Sequence, residues 1–329
     1  MGRAVLVACV LAGCYAPRAF PGAPCSPGGE CPDGLACIAN VCELPGGTTT
    51  ADAELRSSDA GGAVLDAPPD AEGPPGPHGW HAATRIPGVN TTSTETYPSF
   101  TEDQLTIVFT SDRAGTGGLD LYIGTRDALG QPFAVRELAE LNSTADDQSP
   151  EISQDGTAIF FTTSRGGAGS LVYSATRAST AVPFGAPAEV TSLSKDHDGD
   201  TQNSIQIGVS PDLEMAMVIQ VKNAKNASEG YDRGSITGQW TDEEELTGME
   251  LASDISGPSL TDDAAIVYFA SGTPAQIFET AYTESSDTFS TPVSISELNL
   301  GTRDASPEIS AGGTHLVFER DSDLYEATK

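Results

Sequence analysis

The chain has 329 residues, with 16 basic against 47 acidic side chains and a formal net charge of −31. Nucleic acid and anionic lipid head groups are therefore poor partners, because phosphate binding draws on clustered Lys and Arg; cations and basic protein surfaces suit the chain better. Abundant Gly, Pro, Ser and Thr, with few helix-favouring runs, point to short strands and many turns.

Residues 1–13 read as a signal peptide, in which Arg3 precedes an apolar run too short to span a bilayer. Its end, Leu11-Ala12-Gly13 followed by Cys14, resembles a bacterial lipobox. That resemblance implies lipidation of Cys14 and makes it the first mature residue; an ordinary secretory signal with an incidental cysteine is the alternative. Several acyl chains on one residue anchor stably, whereas a single chain binds only marginally. Tyr15, standing where this class uses aspartate for retention, implies the outer membrane.

Residues 14–43 form a cysteine-rich segment holding Cys25, Cys31, Cys37 and Cys42. So short a piece buries no core, and in an exported chain an even set of cysteines predicts two disulfides. Zinc is the rival, but the pairs lack its usual spacing, and the connectivity stays open. Residues 44–79 contain no Phe, Tyr or Trp and cannot offset their ordering entropy by burial, so they read as a disordered linker. A flexible coil of that length has a root-mean-square span of about 30–36 Å.

From 80 to 329 the chain repeats one unit five times. The opening strands are Tyr97-Pro-Ser-Phe-Thr101, Ser149-Pro-Glu-Ile-Ser153, Gln206-Ile-Gly-Val-Ser210, Gly257-Pro-Ser-Leu-Thr261 and Ser306-Pro-Glu-Ile-Ser310. A polar turn and a mostly apolar second strand follow, then a third strand, clearest at 119–122 and 323–325. Fourth strands begin at Phe133, Phe184, Trp240 and Phe289. The unit is the size of a four-stranded blade, and such sheets must stack radially to cover two faces. Since the fifth unit stops after its third strand, Trp80-His-Ala-Ala-Thr-Arg-Ile86 is expected to complete it. The predicted fold is an all-β, five-bladed β-propeller closed by this N-terminal strand, with six blades as the alternative.

The repeat resembles the PD40, or TolB-like WD40-related, β-propeller family. Ser111-Asp-Arg113, Asp120-Leu-Tyr122, Gln154-Asp-Gly156, Asp323-Leu-Tyr325 and the two Ser-Pro strands carry the likeness; the third unit is the most degenerate. Membership implies a fold, not one activity, because relatives include docking subunits, scaffolds and gating domains.

An acidic residue precedes most opening strands: Glu95, Asp146 and Asp147, Asp254, and Asp304. These could ring one mouth of a central channel and hold a cation or basic peptide; the alternative is that each caps its own turn. Asp196, Asp198 and Asp200 make a dense acidic loop, a calcium hypothesis weakened by its departure from the helix-flanked loop pattern. No Gly-x-Ser-x-Gly elbow occurs, and the four histidines share no motif. The expectation is a membrane-tethered envelope propeller that binds a protein or peptide without catalysis and needs no cofactor. A carboxylate-based glycan hydrolase or lyase is the alternative.

Overall fold

The second strand of each repeat lacks the polar–apolar alternation of a half-solvated sheet, so it must be covered on both faces. In Thr106–Ser111 and Ala158–Thr163 nearly every residue is buried, and the cover comes from the neighbouring sheets. The structure, a computed structural model, describes residues 36–38, 41–43 and most of 76–329, with gaps at 168, 195–203, 211–214, 223–224, 233–239, 246–254, 262–264 and 284–287. The signal segment, Cys14, Cys25, Cys31 and residues 44–75 lie outside the described residues.

The chain divides into two units, Met1–Asp66 and Ala67–Lys329. In the first, β1 (Ala36–Ile38) pairs with β2 (Val41–Glu43), and the backbone register sets Cys37 opposite Cys42.

The second unit is a β-propeller. After the short β3 (Thr84–Arg85) come four-stranded antiparallel sheets in chain order. Blade one is β4 (Glu95–Phe100), β5 (Thr106–Ser111), β6 (Asp120–Thr125) and β7 (Ala134–Glu137). Blade two is β8 (Asp147–Ile152), β9 (Ala158–Thr163), β10 (Leu171–Thr176) and β11 (Ala188–Glu189). Blade three is β12 (Ser204–Val209), β13 (Met215–Lys222), β14 (Lys225–Asp232) and β15 (Thr241–Glu245). Blade four is β16 (Ser256–Leu260), β17 (Ile266–Ser271) and β18 (Gln276–Thr283), whose outer edge pairs with both β19 (Thr288–Phe289) and β20 (Val293–Ser294). The last sheet is β21 (Asp304–Ile309), β22 (His315–Arg320) and β23 (Asp323–Thr328), completed by β3.

The first strands adjoin one another around the ring, β4 to β8, β12, β16, β21 and back to β4. A separate apolar cluster fills each interface between blades: Val108 and Leu141 meet Ile152 and Phe161, for example, and Val317 and Leu324 meet Phe100 and Phe109. Closure between β3 and β23 runs from His81 N–H on Thr328 O (2.8 Å), through the Tyr325–Arg85 register pair, to Ile86 N–H on Leu324 O (3.0 Å). Trp80 is buried in the apolar cluster that joins blade four to the last sheet.

Candidate functional site at the propeller axis

Glu95, Asp147 and Asp304 open β4, β8 and β21, and all three are essentially inaccessible to solvent. They do not present carboxylates to a channel mouth, because each is paired inside its own blade. Arg113 lies 2.8 Å from Glu95, Arg165 2.6 Å from Asp147, and Arg320 2.6 Å from Asp304. Loop amides supply the remaining hydrogen bonds, from Thr91, Ser143 and Gly301 respectively. Every arginine also packs between a second-strand and a third-strand ring, with guanidinium-to-centroid distances of 4.9–5.3 Å: Phe109 and Tyr122, Phe161 and Tyr173, Phe318 and Tyr325. The guanidinium then caps a backbone carbonyl, at Val89, Leu141 or Leu298.

Asp146 is exposed and accepts the Leu119 amide at 3.0 Å, while Asp112 accepts that of Thr94 at 2.8 Å. These are turn-capping contacts. Asp254, Asp196, Asp198 and Asp200 lie outside the described residues. A second device recurs in the loop after the fourth strand, where Asn142 bonds both N–H and C=O of Leu121, Asn299 those of Ile277, and Asn90 those of Leu324. Each asparagine thereby satisfies a third-strand N–H and adds a second hydrogen bond to a carbonyl that already accepts the amide of Leu138, Ile295 or Ile86. Its signal was the Leu-Asn pair at 141–142 and 298–299, aligned with Val89-Asn90.

The first strands carry an irregularity that turns side chains toward the axis. Tyr97, Ser149, Gly257 and Ser306 hold φ of 48–57°, each beside a register shift and each followed by proline. Left-handed backbone is costly for the three non-glycine residues, and here the bulge fixes it. The residue after proline is Ser99, Glu151, Ser259 or Glu308, and these converge from four blades. Ser99 Oγ donates to Glu308 at 3.1 Å, and Glu151 and Ser259 lie near enough to Glu308 to act on its charge.

Burial pushes Glu308 up to about 7 against the opposing pull of the serine hydroxyls, while burial and then the Glu308 charge push Glu151 well above the usual carboxylate range. Beside them, Gln206 Nε2 donates to Tyr97 Oη at 2.9 Å, and its carbonyl accepts the Gly257 amide. This amide plugs the axis and leaves a cavity of about 10 Å³, room for one water-sized occupant. Ser149, which lines that cavity, is 3% exposed and its Oγ has no hydrogen-bond partner.

Sequence reasoning missed Glu151 and Glu308. The signal was a glutamate in two opening strands where the others carry Ser or Gly.

Elsewhere, Arg126 and Arg177 follow the third strands and cover Phe133 and Phe184 at 4.4 and 4.3 Å. Burial holds His315, edge-on to Phe100, down at about 4. Such a neutral histidine is a packing residue. Glycosidic cleavage needs two carboxyls about 5–9.5 Å apart flanking the bond. The axial cavity of about 10 Å³ has no room for a sugar ring between such a pair.

No protein-family model matches the chain, and no curated protein matches it by sequence. Solved structures do share its fold. A thermostable family-43 glycoside hydrolase superposes with a TM-score of 0.51 at 10% identity, over 74% of this chain and 91% of that one. TolB of Acinetobacter baumannii aligns at 16% identity over 73% of this chain and 56% of its own, with a TM-score of 0.46. The putative TolB of Agrobacterium tumefaciens aligns at 18% over 69% and 70%, with a TM-score of 0.45. At these identities the likeness concerns architecture alone.

Proposed function

We propose that the protein is a lipid-anchored, five-bladed propeller of the cell envelope that binds a protein or peptide and carries out no catalysis of its own. The observation that carries this reading is the use made of the buried acids. Glu95, Asp147 and Asp304 are each neutralised by an arginine of their own blade, and the axial cavity that Glu151 lines is too small for a glycan or peptide. What remains for recognition is the outer surface of a strongly acidic molecule, which favours basic partners. The Leu11-Ala12-Gly13-Cys14 run supports an anchor at Cys14, and the 44–79 linker would let the propeller stand off the membrane.

The test uses the soluble form lacking residues 1–14. Saturable binding of one basic envelope protein or peptide, weakened by salt, with no turnover of a glycan and peptide panel, is the expected result. Reproducible turnover would favour the carboxylate-enzyme alternative. Mass spectrometry of the mature N-terminus should find diacylglycerol on Cys14.

A further inference from the structure

Among the described arginines, Arg177 alone has no carboxylate at ion-pairing distance; every other one has such a partner. In a chain of net charge −31 that is an exception. Arg177 is 9% exposed, covers Phe184 at 4.3 Å and gives its Nε–H to Gly156 O at 2.6 Å, so its guanidinium is fixed in place. The acids that act on it from farther off are committed elsewhere. Glu140 pairs with Arg136, and Asp155 is held by Ser153 and Thr157.

Blade one shows what is missing. Arg126, the same position one blade earlier, covers Phe133 at 4.4 Å and gives its Nε–H to Gln104 O at 2.9 Å, but it also has Glu326 of the last sheet at 3.9 Å. Glu326 follows Asp323-Leu-Tyr325 in β23 and lies cross-strand from Val317. For Arg177 the corresponding residue of the preceding blade is Ile123, which follows Asp120-Leu-Tyr122 in β6 and lies cross-strand from Val108. The repeat keeps the arginine and replaces its carboxylate with an alkyl group. At this spot a groove of about 670 Å³ opens between blades one and two, lined by Ile123, Val135, Val182 and Pro183 together with Arg136 and Arg177. That is the size of a small-molecule site. Burial, and then the charge of Arg136, lower the Arg177 pKa, and a bound anion acts in the opposite direction.

We propose that this groove binds a small aliphatic monocarboxylate, its carboxylate on Arg177 in the way that Glu326 serves Arg126, and its alkyl body along Ile123, Val135 and Val182. The planar guanidinium suits a carboxylate because it offers parallel N–H donors. A single negative charge is selected over two, since Glu140 faces the same groove and the surrounding chain is acidic. The groove shares no lining residue with the axial cavity, and the site stands whether or not the outer surface docks a basic partner.

The experiment is a ligand-observed NMR titration of the purified protein with sodium hexanoate, with hexanamide as the neutral counterpart and hexyl phosphate as the doubly charged one. Hexanoate should bind saturably with a Kd of about 1 mM, the range open to a ligand this small. Hexanamide and hexyl phosphate should bind at least about tenfold more weakly. Arg177→Gln removes the charge and should weaken hexanoate about tenfold or more. Val182→Trp fills the groove from an exposed position and should have a similar effect, which keeps the test intact if Arg177→Gln fails to fold. Absence of saturable hexanoate binding up to about 20 mM would overturn the proposal. Hexanamide binding as tightly as hexanoate, hexyl phosphate binding more tightly, or hexanoate binding unchanged in Val182→Trp would overturn it equally.

Discussion

The blade ends and the axis both hold carboxylates, fully buried at the blade ends and half-buried at the axis, and they treat them in opposite ways. At the blade ends each acid has its own arginine, sandwiched between two rings and capped on a carbonyl, so charge is matched within one sheet. At the axis two acids from different sheets face each other with hydroxyls and no base. The first arrangement makes a blade rigid. The second leaves its acids to hydroxyl partners such as Ser99.

The largest effect that would test this contrast comes from Asp147→Ala. It strands Arg165 against Phe161 and Tyr173 and should cost about 3–5 kcal/mol, the usual loss on breaking a buried pair. Thermal unfolding should fall by about 6–15 °C for a domain of this size. Glu151→Gln, at a half-buried carboxyl, should cause no fall; a loss matching that of Asp147→Ala would erase the distinction between the two regions.

Asn142→Ala and Asn299→Ala come next. Each leaves a third-strand N–H, that of Leu121 or Ile277, without its partner, while the carbonyl keeps the amide of Leu138 or Ile295, and should cost about 1–3 kcal/mol by denaturant titration.

A smaller, signed effect concerns pH. The folded pKa of Glu308 is raised by burial to about 7 from an ordinary value of 4.5, so its contribution is complete below about 4.5 and is lost as pH rises through 7. His315, held down to about 4 from 6.5, works with the opposite sign and fades as pH rises past its usual value. The Glu308 contribution of about 1 kcal/mol lost between pH 6.5 and 8.5 should therefore be read as the difference in slope between the protein and Glu308→Gln. A steep slope retained in the variant would assign the titration to another group.

The smallest effect belongs to Arg85→Ala. The Arg85–Asp323 pair lies at the ring seam, but the arginine side chain is 52% exposed, and its loss should cost under about 1 kcal/mol. A much larger cost would mean that the seam rests on charge rather than on backbone pairing and Trp80.

The repeat pattern made the fold readable because each blade announces itself by an apolar second strand between turn residues, and because the aromatic start at Trp80 matches the other fourth strands. The acids at 95, 147 and 304 were also visible as one recurring position. Their partners were not, since Arg113 and Arg165 lie 18 residues away and Arg320 lies 16, a distance that only strand pairing closes. The axial pair escaped for a different reason. Alternation places a strand's side chains on two faces, but the left-handed residue before each proline shifts the register, so simple counting assigns Glu151 and Glu308 to the wrong side.

Closure by β3 also bears on how the molecule is made. The seam joins residues as far apart in chain order as His81 and Thr328, whereas each blade assembles from neighbouring hairpins. Blades can form one after another as the chain emerges, but the ring shuts only when its final strand meets one that emerged near the beginning. Until then the inner strands and two sheet edges stay open, which is the interval in which a partner or chaperone has most to protect.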